Sequence, residues 1–276
     1  MAAEGAGSAA AAAADGPGGL DQSPQAGGSR CGGGQELGDD VLPSVRAACR
    51  AAVAGLIRAE PDLIVVVGGA AAAGEYSGSA AGSLQEFGVP VTIGSGPPVL
   101  PLSLTVGAWL LRSCGLRPDE PPAAGLRAVP RATPAPDCLR LGARLAVAAP
   151  RVAMLAMGDG SARKATGAPG APDPVADRYD ADVAAALAAA DPGRLARLDA
   201  ALDDVLSVAG RAAWQVLAGA AAAADGRLRG RLRCAVAPFG VSYLVASWDG
   251  PLAGAQEDSG PLEDSGPLED SGPLQD

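Results

Sequence analysis

Apolar strands alternate with amphipathic helices through the middle of this 276-residue chain, and that alternation limits the folds it can adopt. The segment 62–69, Asp-Leu-Ile-Val-Val-Val-Gly-Gly, predicts a buried strand. Val152–Met157 predicts a central strand of the same sheet. Strands separated by helices favour a three-layer α/β/α sandwich around a central mixed sheet.

The other elements fit the same architecture. Further elements are predicted as helices at 43–59, 102–114 and 137–148 and as strands at 89–93 and 126–129. Pro90 restricts its strand to a sheet edge or a strand start, because proline has no N–H for the ladder. Ser103 is a candidate N-cap of a helix that is apolar on all sides.

The sequence of the last third of the chain predicts helices followed by a hairpin. Apolar residues at helical spacing between 179 and 221 predict three helices, with Asp191-Pro-Gly193 separating the first two. Leu232, Cys234 and Val236 alternate with arginines and predict a strand with one apolar face. Pro238-Phe-Gly240 turns the chain, and 241–248 returns as its antiparallel partner.

Both ends differ in composition from the middle. Residues 1–40 are mostly Ala, Gly, Ser, Pro and acids, and 251–276 contain the hexamer Glu-Asp-Ser-Gly-Pro-Leu three times. We predict that both are disordered and that 41–250 form one α/β domain. The net charge of −10 also belongs to the ends, with −5 in 1–40 and −7 in 257–276, which leaves +2 for 41–256. The acidity therefore says nothing about what the folded part binds.

The chain has no histidine. Imidazole is the usual general base and the commonest metal ligand, so Ser-His-Asp and Cys-His hydrolysis and His-ligated zinc or iron are excluded. Any chemistry must come from carboxylates, lysine, cysteine or the backbone.

Cysteine usage and hydropathy indicate the compartment. The five cysteines form no Cys-x-x-Cys pair and are predicted to be small buried apolar residues in a reducing environment. The N-terminus has no basic segment before its alanines, and no apolar run approaches the roughly 20 residues that a bilayer needs. We expect a cytoplasmic protein that does not contact membranes.

The loop after Val152–Met157 is the best candidate site, because binding groups of α/β folds gather at the carboxyl ends of strands. The candidate ligand-binding residues there are Asp159, Ser161, Arg163 and Lys164. The two cations would attract a small anionic ligand, and Ser161 and backbone amides would donate hydrogen bonds. The alternative is an ordinary turn in which Asp159 caps local amides and the cations face solvent.

Two enzyme motifs fit this loop poorly. A P-loop needs Gly-Lys followed by Ser or Thr, whereas Lys164 follows Arg163 and precedes Ala165. Ser161 and Lys164 have the Ser-x-x-Lys spacing, but the accompanying Ser-Asp-Asn and Lys-Thr-Gly are absent.

A resemblance carries more information than these motifs. It rests on Met154-Leu-Ala-Met-Gly-Asp-Gly-Ser-Ala-Arg163, Tyr179-Asp180, Trp214-Gln-Val-Leu-Ala-Gly219 and Ala237-Pro-Phe-Gly-Val-Ser-Tyr243. In this order the segments resemble class III extradiol ring-cleavage dioxygenases, and more narrowly the proteins that are similar to their B-type subunits. The resemblance spans roughly 41–248 and implies an α/β/α sandwich. Active members open a catechol ring with O2 at Fe(II) held by two histidines and a carboxylate.

The chain departs from that pattern at every functional position. Ala162 stands where the resemblance implies an acid/base histidine, and Gly68-Gly-Ala stand where it implies an iron histidine. The other iron histidine would lie in an N-terminal Pro-His-Pro-Pro that is absent, and Gly210 and Arg211 occupy the region of the carboxylate. We therefore predict the fold that the resemblance implies. We predict neither ring cleavage nor an iron cofactor.

Arg227, Arg229, Arg231 and Arg233 stand at every second position. Such a ridge could bind nucleic acid, but it has no interleaved aromatics for base stacking, so we favour a sheet edge protected by charge.

Three functions follow from the sequence. The first is a dioxygenase-like domain that has lost its iron site and acts as a non-catalytic binding or interaction protein. The second is an enzyme of histidine-independent chemistry that uses Asp159 and Lys164. The third is a structural subunit, paired with another copy or with a partner subunit in a larger assembly.

Overall fold

A four-stranded mixed sheet forms the centre of the fold. The computed structural model describes residues 41–116, 122–164, 171–224 and 228–250. The strands of the sheet are β1 (Leu63–Ala70), β2 (Gly74–Ser77), β6 (Ala123–Pro130) and β7 (Val152–Met157). Their order is β2-β6-β1-β7. The strands β6, β1 and β7 are parallel, and β2 pairs antiparallel with β6.

Helices cover both faces of this sheet, which confirms the predicted α/β/α sandwich. The longer helices are α1 (Val41–Arg58), α2 (Leu102–Ser113), α3 (Ala135–Ala146), α4 (Pro174–Ala189) and α7 (Arg211–Ala223). Two short ones are α5 (Pro192–Ala196) and α6 (Leu202–Val205). Helices α1 and α2 pack on one face with Ile64 and Val66, and α3 and α7 pack on the other with Val65 and Val67. Because both faces of β1 are covered, Ile64–Val67 are at most 2% exposed.

The segment between β1 and α2 contains a small second sheet, of which the sequence predicted only the strand at 89–93. Its strands are β3 (Ala80–Ser83), β4 (Thr92–Ile93) and β5 (Ser95–Pro98), in the order β4-β3-β5. The predicted strand at 89–93 is therefore reduced to Thr92–Ile93. Glu75 and Tyr76 lie in the edge strand β2.

Helix α2 begins without the expected serine cap. Pro101 occupies the N-cap position, and Ser103 donates its hydroxyl to the carbonyl oxygen of Gly69 at 2.7 Å. The serine therefore ties α2 to the end of β1. Arg112 and Ser113 are exposed, so the last turn is not buried on all sides as predicted.

Helices α3 and α7 approach each other closely because glycines stand at their crossing. A Cβ atom at Gly142 would lie 1.9 Å from the carbonyl oxygen of Val216, and one at Gly219 would lie 2.1 Å from that of Leu139. Neither backbone could accept a side chain there without moving. The close crossing brings the start of α7 against the segment that precedes α3.

The hairpin at the end of the domain contains a bulge that the alternation did not predict. It consists of β8 (Arg229–Val236) and β9 (Tyr243–Asp249), and its register shifts between Leu232 and Cys234. Leu232 packs on the cluster around α4, whereas Cys234 and Val236 pack on the cluster around Val45 of α1. The three residues predicted to share one face are thus divided between two faces, because a bulge adds one residue to the strand.

The described cysteines are free thiols in partly or fully apolar surroundings. Cys138 is buried, and Cys49, Cys114 and Cys234 are half-buried. Burial raises the pKa of the Cys49 thiol to about 11. The predicted burial is therefore confirmed for Cys138, whereas the other three thiols are only partly buried. Cys31 and Arg227, and the predicted disorder of 1–40 and 251–276, lie outside the described residues.

Strand β7 is held against β1 at its start by an ion pair. Asp62 accepts hydrogen bonds from the Arg151 guanidinium at 3.1 and 3.3 Å and from the Arg151 backbone N–H at 3.0 Å. The hydrogen bond from the guanidinium lowers the pKa of Asp62 below its ordinary value of 3.8. On its other side β7 is the edge of the sheet, although its sequence predicted a central strand.

We expect this pair to make stability depend on pH in the acid range. The pKa of Asp62 is lower in the folded protein than in the unfolded chain. The ion pair therefore adds to the free energy of unfolding at pH values above 3.8, and this contribution is lost as the pH falls through the pKa of the folded state. Carboxyl ¹³C NMR should show Asp62 titrating below 3.8 in the native chain and near 3.8 in Arg151→Gln. An unchanged pKa in Arg151→Gln would contradict the assignment.

Candidate functional site

The loop after β7 is held by backbone hydrogen bonds to the turn of the hairpin and to the end of α6. Gly160 N–H donates to the carbonyl oxygen of Ser242 at 3.3 Å, and Ser242 N–H donates to that of Ser161 at 2.9 Å. Ala162 N–H reaches Leu206 O at 2.9 Å, and Lys164 N–H reaches Gly240 O at 3.1 Å. The loop is therefore an integral part of the packing between the sheet and the hairpin.

Beneath this loop lies a buried polar cluster centred on Asp180. Its carboxylate accepts from the Ser161 N–H at 2.9 Å, the Ser161 hydroxyl at 2.5 Å and the Ser242 hydroxyl at 2.5 Å. Ser161 is 0%, Asp180 4% and Ser242 5% exposed. All three side chains are used within the protein, and Ser161 does not reach the surface.

The two cations of the loop are also engaged. Lys164 Nζ donates to Asp177 Oδ1 at 2.7 Å and lies 3.6 Å from Asp180 Oδ2. Arg163 Nη1 donates to the carbonyl oxygen of Ala171 at 3.3 Å. The side chain of Lys164 keeps 21% of its surface exposed. Both cations thus have partners within the chain, and binding of a small anion at this loop stays a prediction.

Asp159 lies at the junction of the loop, α7 and the hairpin. Its carbonyl oxygen accepts from Gly210 N–H at 3.0 Å. Burial, and then the charge of Asp159, raise the pKa of the Tyr243 hydroxyl. Asp159 therefore contributes negative charge where β9 begins.

The structure thus brings Ser161 and Lys164 together around the carboxylate of Asp180, which was not among the predicted site residues. Asp180 and Ser242 belong to segments that carry the resemblance, but they are 19 and 81 positions from Ser161. No local spacing connects them. Helix α4, which carries Asp180, begins at Pro174 with Asp173 as its N-cap, so Asp180 stands in the interior of the helix.

A second buried polar cluster surrounds Arg211 at the start of α7. Arg211 is 1% exposed, and its Nε donates to Asp203 Oδ2 at 2.6 Å. Its Nη atoms donate to Gln215 Oε1 at 2.6 Å, to Arg131 O at 2.5 Å and to Thr133 O at 3.3 Å. This guanidinium joins α7 to α6 and to the segment before α3.

Burial raises the pKa of Asp203 against the opposing effect of Arg211. Its second oxygen, Oδ1, and the hydroxyl of Tyr179 have no hydrogen-bond partner among the described residues. Burial, and then the charge of Asp203, also raise the pKa of Tyr179. Both groups are enclosed by the core around α4 and α7, which gives them no access to a substrate.

The described residues do not fit the iron that the resemblance implies. None of the described segments contains a group of three or more Cys, Asp or Glu side chains placed to hold a metal ion. Arg211, in the region where the resemblance implies a carboxylate ligand, is a buried cation paired with Asp203. We therefore derive no step through an iron ion.

The fold and the site define a mixed α/β protein with a closed polar cluster at the carboxyl end of its edge strand. No protein-family model matches the chain, and no curated protein matches it. Among solved structures it is similar to an uncharacterized protein, JW3007, from Escherichia coli K12. The identity is 18% and the TM-score 0.44, over 73% of this chain and 92% of that one. None of the helices in the described part of the chain has the length and apolarity needed to cross a bilayer.

Proposed function

We propose that this chain is a non-catalytic binding or interaction protein built on an α/β/α sandwich. The observation that supports this proposal is the closed state of the candidate site. Its serine is buried on Asp180, and its lysine and arginine have partners within the chain. A catalytic loop would present such groups to a substrate, whereas these groups hold the loop, α4 and the hairpin together.

The histidine-independent enzyme is the competing function. It requires Lys164 as a base or nucleophile beside Asp159. Either role needs a lysine amine that can approach the reacting atoms of a substrate. The amine of Lys164 instead lies 2.7 Å from Asp177 and 3.6 Å from Asp180, within the protein. This arrangement favours the binding function over the enzyme.

The test compares turnover and complex formation in the full chain. Protein loaded anaerobically with Fe(II) and desalted should show no catechol-dependent uptake of O2 above a protein-free control. Tagged full-length chain expressed in its source organism should retain one partner in a fixed ratio through gel filtration. Catechol-dependent O2 uptake that is abolished by an iron chelator would refute the proposal. Turnover of any substrate that is lost in Asp159→Asn and Lys164→Gln would support the competing enzyme.

A further inference from the structure

The strand layer of the sandwich is interrupted between β7 and β9. The central sheet ends at β7, and β8 and β9 form a separate pair. In the part of the chain that the structure describes, no ladder of hydrogen bonds joins Val152–Met157 to Tyr243–Asp249. We call the space between these two strands the strand slot.

The helix layers continue across this interruption on both faces. On one face Ala156 of β7 and Leu244 and Ala246 of β9 pack against the same core cluster of α4 and α7. On the other face, Cys49 of α1 belongs to two apolar clusters. One of them includes Leu155 of β7, and the other includes Val245 of β9. The hairpin therefore lies in the plane of the central sheet, with shared helices above and below the slot.

Strand β9 runs antiparallel to β7 along the slot. Next to its first residue, Ser242 is bonded to the loop that leaves the carboxyl end of β7. Near its last residue, Trp248 Nε1 donates to Leu187 O at 2.7 Å, in the final turn of α4. Helix α4 starts beside the same loop, because Asp173 N–H donates to Arg163 O at 3.0 Å. The far end of β9 thus lies at the far end of α4.

Strand β7, on one side of the slot, has none of the features that protect exposed strands. All six residues of β7 are apolar and half-buried, whereas five of the eight residues of its neighbour β1 are buried. Natural edge strands are protected by charges, proline or short length. The opposite edge of the sheet, β2, has four residues and an exposed Glu75 that pairs with Arg127. Strand β8 carries exposed Arg229 and Arg231. The outer strands β2 and β8 therefore have charged protection that β7 does not have.

The terminal segments of this chain are poor occupants of the slot. Residues 1–40 end at α1, and Val45 of α1 packs beside Tyr243 at the mouth of the slot. However, neither 1–40 nor 251–276 contains a single Val, Ile, Thr, Phe, Tyr or Trp, the residues that favour strands. The segment 251–276 also has a proline in every hexamer.

We propose that the strand slot receives one extended strand from a partner protein, paired by its backbone with β7 on one side and β9 on the other. This inference deepens the proposed function, on which it rests. Because helices cover both faces, the partner strand would be uncharged and apolar on both sides over about six residues. Main-chain hydrogen bonds would supply affinity, and the apolar helix faces would select its side chains.

The experiment uses a fluorescein-labelled peptide, Lys-Lys-Val-Val-Ile-Val-Val-Ile-Lys-Lys, and the full chain. We expect saturable binding with Kd of about 100 µM or tighter. A peptide of the same sequence with alternate amides N-methylated keeps the side chains but loses the donors along one edge, and should bind at least about tenfold more weakly. Hydrogen exchange should slow on binding in 152–157 and 243–249 but not in 74–77.

A matched pair of protein variants locates the site. Ala156→Lys places a charge beside the slot and should weaken peptide binding about tenfold or more. Ala235→Lys, at an exposed position of β8, should change it by less than about twofold. Thermal unfolding of both variants checks that the fold is kept. If Ala156→Lys does not fold, the comparison of the two peptides on the native chain still tests whether binding depends on backbone hydrogen bonds.

Several results would overturn the proposal. Absence of saturable binding, or equal binding of the N-methylated peptide, would exclude a strand acceptor. Self-association that competes with the peptide would make a second copy the occupant. If a chain without residues 1–40 bound the peptide tenfold more tightly, that segment would be the occupant of the slot. Peptide binding and catechol-dependent O2 uptake are measured independently. A chain that takes up O2 and also binds the peptide would refute the proposed function but not the strand slot.

Discussion

Arg211→Ala should lower the free energy of unfolding by about 3–5 kcal/mol, one of the two largest effects of a single substitution that we expect in this chain. The guanidinium is 1% exposed and donates to Asp203, Gln215 and two backbone carbonyl oxygens. Its removal leaves the Asp203 carboxylate buried without its cation and leaves those carbonyls without a donor. Urea denaturation followed by circular dichroism measures the change.

The control for this prediction is Arg140→Ala on helix α3. Arg140 also pairs with an aspartate, Asp137, but its side chain is 69% exposed. An exposed pair contributes about 1 kcal/mol or less, so this variant should unfold close to the native chain. If both variants lost the same free energy of unfolding, burial of the Arg211 cluster would not be the cause of the loss.

The fold was predictable where a pattern is local. Helix α1, strand β1 and helix α3 follow from the apolar spacing of their own residues, and the structure confirms them within a few positions. Errors occurred where the outcome depends on a neighbour. The apolar sequence of Val152–Met157 is typical of a central strand, but whether a second strand lies beside it depends on the rest of the fold. The bulge after Leu232 changes the face of Cys234 without a glycine or proline to mark it.

The candidate site was predictable as a place but not as an arrangement. The rule for α/β folds located the loop containing Asp159 and Lys164 correctly at the carboxyl end of β7. The partner of Ser161 is Asp180, which is in turn bonded to Ser242, 62 positions further along the chain. A buried carboxylate that collects donors from three segments is defined by tertiary packing. Sequence spacing alone therefore left open an anion-binding loop or an ordinary turn, where the structure has a closed cluster.

Asp180→Ala should lower the free energy of unfolding by a similar amount, about 3–5 kcal/mol. The substitution leaves three donors without an acceptor: the N–H and hydroxyl of Ser161 and the hydroxyl of Ser242. These groups are nearly inaccessible to water, so each carries the cost of an unmade hydrogen bond. Because the cluster joins the loop to the hairpin, hydrogen exchange in 158–164 and 240–243 should also accelerate.

Asp177→Ala separates this effect from the simple loss of an ion pair with Lys164. Asp177 is the nearer partner of that lysine, at 2.7 Å, but its side chain is 70% exposed. Its removal should cost about 1 kcal/mol or less and leave exchange in 240–243 unchanged. If Asp177→Ala were as damaging as Asp180→Ala, the ion pair would be the main contribution of the cluster. If Asp180→Ala were nearly neutral, the serines would have to find other acceptors, and the loop could open to a ligand.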